Sequence, residues 1–171
     1  MKYFKLYENF TDDYLYHGTL VENEAEIKRM GLVPKIGHFV RNAYGDEYAA
    51  AGINIDDEED LQLVFFADLR GLHKSVNAIK TMIAHKLSVD FHGVTPEQIG
   101  EHGLLLCIDN DGYLTQKAYG DDEDEEADEY GDFHPMTVEP GDFYSNRTVY
   151  GFSKSIKGQE LLDFFAQHNV L

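Results

Sequence analysis

The chain carries a single cysteine, Cys107, so no intramolecular disulfide can form, and a zinc site built on several thiolates is excluded with it. That cysteine stands inside the apolar run GLLLCID and is expected to pack as a small buried hydrophobe. Tryptophan is missing altogether, which leaves Tyr and Phe to supply the aromatic bulk. Positive charge is scarce: 14 Lys and Arg against 32 Asp and Glu give a formal charge of -18. A surface of that sign repels phosphate backbones and anionic lipid, so nucleic acid is a disfavoured partner and a basic protein a favoured one. No apolar run approaches the roughly 18 residues that cross a bilayer, and the opening MKYFKLYENFTDDY is too polar for a secretory leader. A cytoplasmic protein with no membrane contact is the expectation.

Familiar chemical signatures are missing too. The eight histidines are scattered, and none forms an H-x-x-x-H or H-E-x-x-H pair that would set two imidazoles on one helix face, so no metal site is expected. The acidic tract lacks the glycine-punctuated order of a calcium loop. There is no G-x-S-x-G elbow, no G-x-x-x-x-G-K-[ST] and no G-x-G-x-x-G.

What is present points to one folded domain over residues 1–171, since 43% hydrophobic residues are enough to build a core beneath the acidic coat. Alternation predicts short strands at residues 3–7 and 13–17, the second ending at His17. A helix over Val21 to Met30, stopped by Gly31, follows the Gly18-Thr19 step. Residues 32–62 read as a long irregular excursion with a short helix around Asp46 to Ala51. The run LVFFAD, residues 63–68, is a buried strand that feeds a helix whose apolar face is Leu72, Val76, Ile79, Ile83 and Leu87. GLLLCIDNDGYLTQKAY is expected to be a core strand, an Asn-Asp-Gly turn and a returning strand. The acidic run at 120–133 is expected to be a solvated loop, followed by a further strand or two and a C-terminal helix over GQELLDFFAQHNV that buries Phe164 and Phe165. This mixed order makes the fold class α+β.

The stretch YLYHGT, Tyr14 to Thr19, sets an imidazole and a glycine where the strand is expected to hand over to the helix. A histidine there has one ring nitrogen free to donate toward a sugar hydroxyl, and the glycine lets backbone N–H and C=O approach a flat carboxamide. A histidine that merely closes a turn before a helix fits the same three residues.

Three pieces in order, LYHGT with the later GLVP, then VFFAD, then KSVNAI, resemble the histidine-first class of the ADP-ribosyltransferase fold. In the eukaryotic poly- and mono-ADP-ribosyltransferases the corresponding pieces read H-G-[ST], Y-F-A-D and K-S-A-N. The tRNA 2'-phosphotransferases, which share the fold and the use of NAD, open with L-Y-H-G-T and a G-L-x-P step, and FYSNRTVY is similar to their late F-Y-x-S-x-N-G-V-W. The resemblance implies a split antiparallel sheet core with flanking helices. It implies that His17, Gly18 and Thr19 bind NAD, with His17 on the adenosine-side ribose and Gly18 on the nicotinamide amide through its backbone. Phe65 falls on a tyrosine whose ring stacks on nicotinamide, and it keeps the π-face while losing the hydroxyl. Ser75 is similar to the serine that binds the carboxamide, at a spacing from Phe65 two residues longer than in the eukaryotic pattern.

Cleavage of the nicotinamide-ribose bond develops oxocarbenium character that a carboxylate can stabilise. Asn146 or Arg147 falls where the family carries its glutamate, and the nearest carboxylates are Glu139 and Asp142, of which Glu139 is the choice. Arg41 could reach a pyrophosphate or pair on the surface with Asp46 or Glu47, and Tyr44 and Tyr48 could close over NAD or pack on the core. The expected function is therefore an NAD-dependent mono-ADP-ribosyltransferase, with NAD as co-substrate, a macromolecular acceptor that is expected to be a protein and is favoured if basic, and His17, Phe65 and Glu139 as catalytic residues. The alternatives are a catalytically silent acidic binding or inhibitor protein that mimics a phosphate backbone, and an RNA 2'-phosphotransferase.

Overall fold

The computed structural model describes residues 14–109 and 141–171. The strand expected at 3–7, the Asn-Asp-Gly turn with its returning strand, the acidic run and Glu139 lie outside them.

The elements in chain order are β1 (Tyr14–Leu20), α1 (Glu24–Met30), α2 (His38–Ala50), β2 (Val64–Ala67), α3 (Leu72–Leu87), α4 (Pro96–His102), β3 (Gly103–Asp109), β4 (Asp142–Ser145), β5 (Lys154–Lys157) and α5 (Gly158–Gln167). The strands form one sheet in the order β4-β2-β1-β3-β5, and every neighbouring pair is antiparallel. Strands in one antiparallel sheet with helices against them make the domain α+β.

Alternation along β1 and β3 divides the side chains between two faces. Tyr16, Leu20, Leu105 and Cys107 meet Leu72, Val76, Ile79 and Ile83 of α3, Ile99 of α4, and Leu161 and Phe165 of α5. Leu15, Leu104, Leu106 and Ile108 meet Val64 and Phe66 of β2 with Ile27, Leu32 and Val149 on the opposite face. β3 is buried on both sides, which is why its sequence is an unbroken apolar run rather than an alternating one. Cys107 lies within it, and burial pushes its thiol up to about 12, so it is protonated and inert at neutral pH.

Two expectations need correction, and one further helix had no expectation. The strand does not end at His17: Gly18, Thr19 and Leu20 continue it, and the handover is a 3-10 turn at Val21–Asn23. Full pairing of Gly18, Thr19 and Leu20 with Leu105, Leu104 and Gly103 holds these residues extended. The excursion after Pro34 contains a 13-residue helix, α2, rather than a short one at its end. Among the described residues its Tyr44 and Tyr48 pack in a small cluster with Ile36, Leu61 and Ile55, and its sequence has no strong apolar stripe to read. The helix α4 was not anticipated, although T-P-E-Q spells its start: Thr95 accepts from the Gln98 backbone N–H, the Gln98 side chain accepts from the Thr95 N–H, and Pro96 follows the cap. Thr95→Ala is expected to cost about 1 kcal/mol, read as a lower denaturant midpoint at unchanged slope.

Asp68 sets the entry to α3. It is 1% exposed, its carboxylate accepts from the Arg70 N–H at 2.8 Å and from the Arg70 guanidinium, and its own N–H donates to the Gly141 carbonyl at 2.9 Å. The turn Leu69–Gly71 is thereby capped, and α3 is aimed back across β1.

Candidate functional site

β1 and β2 are paired only at Tyr16–Ala67, whereas β1 and β3 stay in register along all of β1. Continued by one and two residues, the β1/β2 ladder would set His17 against Phe66 and Gly18 against Phe65. At this parting the His17 side chain does what a further backbone pair would have done: its Nδ1 donates to the Phe65 carbonyl at 2.7 Å. The ring lies 5.6 Å from that of Phe66 on the shared face of the sheet.

That bond fixes the tautomer. A carbonyl only accepts, so Nδ1 carries the proton, and in the neutral ring Nε2 presents a lone pair. Burial lowers the His17 pKa below its ordinary 6.5; the Phe65 carbonyl opposes the shift and the charge of Lys35 adds to it. The free nitrogen therefore accepts from a hydroxyl rather than donating to one, reversing the direction expected from sequence.

Gly18 faces the other way, toward α3. A methyl built on it would overlap the Ser75 carbonyl oxygen and stand 3.1 Å from Ile79 Cγ1. Helix packing alone thus demands glycine here. Ser75 is brought to Gly18 through its backbone, and its residue is 5% exposed. Thr19 is also buried, and its hydroxyl accepts from Asn23 Nδ2 at 3.1 Å and donates to Met82 Sδ. Phe65 is 38% exposed, and alternation turns it away from Phe66 and His17, so the structure brings the Phe65 carbonyl to His17 while its ring opens on the opposite face.

Asp142 begins β4 opposite Ala67 and accepts from Lys74, while Asn146 and Arg147 are exposed just beyond Ser145. Arg41 makes a surface ion pair, with Asp56 rather than with Asp46 or Glu47. The signal for that partner is an Asn54 side chain that accepts from the Asp56 N–H and turns the acidic residues back toward α2. Tyr44 and Tyr48 pack against Ile36 and Leu61. Among the described residues no cluster of His, Cys, Asp or Glu could hold a metal ion, and no helix is long and apolar enough to cross a membrane.

The site is a parting between two strands with a neutral imidazole and its acceptor nitrogen on one face of the sheet, the half-exposed Phe65 ring on the other, and Gly18 seated under α3. Compared with known proteins, the chain matches no family model, no curated protein and no solved structure.

Proposed function

We propose that the protein is an NAD-dependent mono-ADP-ribosyltransferase whose dinucleotide enters the parting between β1 and β2. The observation that carries this reading is the His17 ring: its Nδ1 is committed to the Phe65 carbonyl, and its Nε2 lone pair suits a ribose hydroxyl. Gly18 offers its backbone to the carboxamide, and the Phe65 ring offers a π-face to nicotinamide. Heterolysis of the nicotinamide-ribose bond sends its electron pair to the departing ring and leaves an oxocarbenium-like sugar. A nucleophile of the acceptor then attacks that carbon and loses its proton. Glu139 is the proposed stabilising carboxylate, because Asp142 is already held by Lys74. With a charge of -18, a basic protein is the acceptor class that the surface favours.

The test is incubation with NAD and a basic protein mixture, with free nicotinamide followed by mass spectrometry. Release is expected, and Phe65→Ala should raise KM about fivefold while Phe65→Tyr keeps it near wild type, since stacking is worth about 1 kcal/mol beyond buried area. The net charge also favours a second reading, an acidic protein that binds a basic partner without catalysis. That reading requires no NAD binding and partner affinity that collapses with salt.

A further inference from the structure

We propose that Lys35 and Arg147 form an anion subsite that takes the diphosphate of NAD, an inference that rests on the reading above. Among the described residues of so acidic a chain most cations are matched: Glu24 holds Lys28 and Lys157, Asp68 holds Arg70, and Asp142 holds Lys74. Among the described residues Lys35 and Arg147 have no carboxylate partner, and both are exposed. Arg29 and Lys80 are unmatched as well, but Arg29 sits in the last turn of α1, where the helix C-terminus favours a cation, and the Lys80 ammonium stands 4.5 Å from the centroid of the Phe91 ring. No such reason accounts for the other two.

Their backbones converge on the start of β2. Lys35 bridges Leu63, and Ser145 pairs with the next residue, Val64. The Ser145 hydroxyl donates to the Arg147 carbonyl at 2.9 Å and accepts from its N–H at 3.1 Å, which turns the chain there. Leu32 and Val149 then exchange both backbone bonds at 2.9 Å, so the segment leading to Lys35 runs antiparallel to the one leaving Arg147. Two unmatched cations are thus carried to the end of β2 where Phe65 begins the parting, and the Lys35 charge reaches the His17 ring. A doubly charged, flexible diphosphate linking the two ribosides is the part of NAD that such a pair recognises.

Calorimetric titration of the full chain tests this with NAD and with nicotinamide riboside, which lacks the diphosphate. Lys35→Gln and Arg147→Gln should each weaken NAD about tenfold, consistent with loss of one charge-assisted contact, and the double variant further, with a shallower salt dependence. Nicotinamide riboside affinity should stay within about twofold throughout, and Lys35→Arg should retain NAD. NAD affinity and salt slope unchanged in the double variant would overturn the subsite while leaving the proposed function standing. Equal losses for both ligands would overturn it too, as general disruption of the fold. Wild-type protein that does not bind NAD removes the proposed function and the subsite together.

Discussion

Gly18→Ala is expected to destabilise the protein by about 3 kcal/mol or more, the upper range for overpacking a core. The new methyl would collide with the Ser75 carbonyl oxygen, and a backbone atom of α3 cannot swing aside as a side-chain tip can. Relief requires lifting α3 from β1, which opens the contacts of Val76, Ile79 and Ile83 with Tyr16 and Leu20. The better strand propensity of alanine returns less than 1 kcal/mol and does not offset this. Denaturant unfolding measures the effect directly, and Ile79→Val added to Gly18→Ala should recover little of it, because the Ser75 carbonyl is the closer obstacle. A variant as stable as wild type would mean that α3 is not seated on β1 as described. Loss of activity in Gly18→Ala consequently says nothing about a carboxamide contact until this cost has been subtracted.

The same position shows how sequence patterns carry fold more readily than role. Glycine between His17 and Thr19 reads equally as a ligand approach or a turn, and neither reading contains the helix that crosses it, since α3 begins 54 residues later. What was legible was local and periodic: the apolar face of α3, the Gly31 stop with its φ of 79°, the unbroken apolar run of β3 and the amphipathic α5. α2 escaped because, among the described residues, Tyr44 and Tyr48 pack with Ile36 and Leu61 at either side of it rather than along a continuous stripe, so periodicity has little to reveal. The Thr95 capping box was legible and simply stood in a stretch without an apolar stripe. As to the site, sequence marked His17 and Phe65 but not the bond between them, which joins a side chain to a carbonyl 48 residues away. Backbone acceptors carry no residue identity, and for that reason the tautomer, and the direction in which His17 can bond a sugar, became readable only once the parting of β1 and β2 was known.

His17→Ala is expected to lower nicotinamide release from NAD by at least about a hundredfold, the combined loss of one hydrogen bond and of a fixed ribose. Two other replacements separate the ring's two nitrogens. Asn retains a short donor for the Phe65 carbonyl and should hold stability near wild type without activity. Gln extends an amide oxygen toward the position of Nε2 and should restore part of the rate. The pH dependence follows from the lowered pKa. Between the folded-state value and the unfolded 6.5 the unfolded chain binds more protons, so His17 takes stability away as pH falls through 6.5 and has no such effect above it. His17→Asn should therefore have a shallower loss of stability on acidification than wild type, measured as the difference between their unfolding free energies across that window. Because the ring stays neutral in the folded protein past 6.5, kcat/KM should hold its plateau through that pH and fall only at lower values. A decline centred at or above 6.5 that disappears in His17→Gln would mean that the ring titrates as a free imidazole, and the Nδ1–H to Phe65 carbonyl bond could not then be what poises the site.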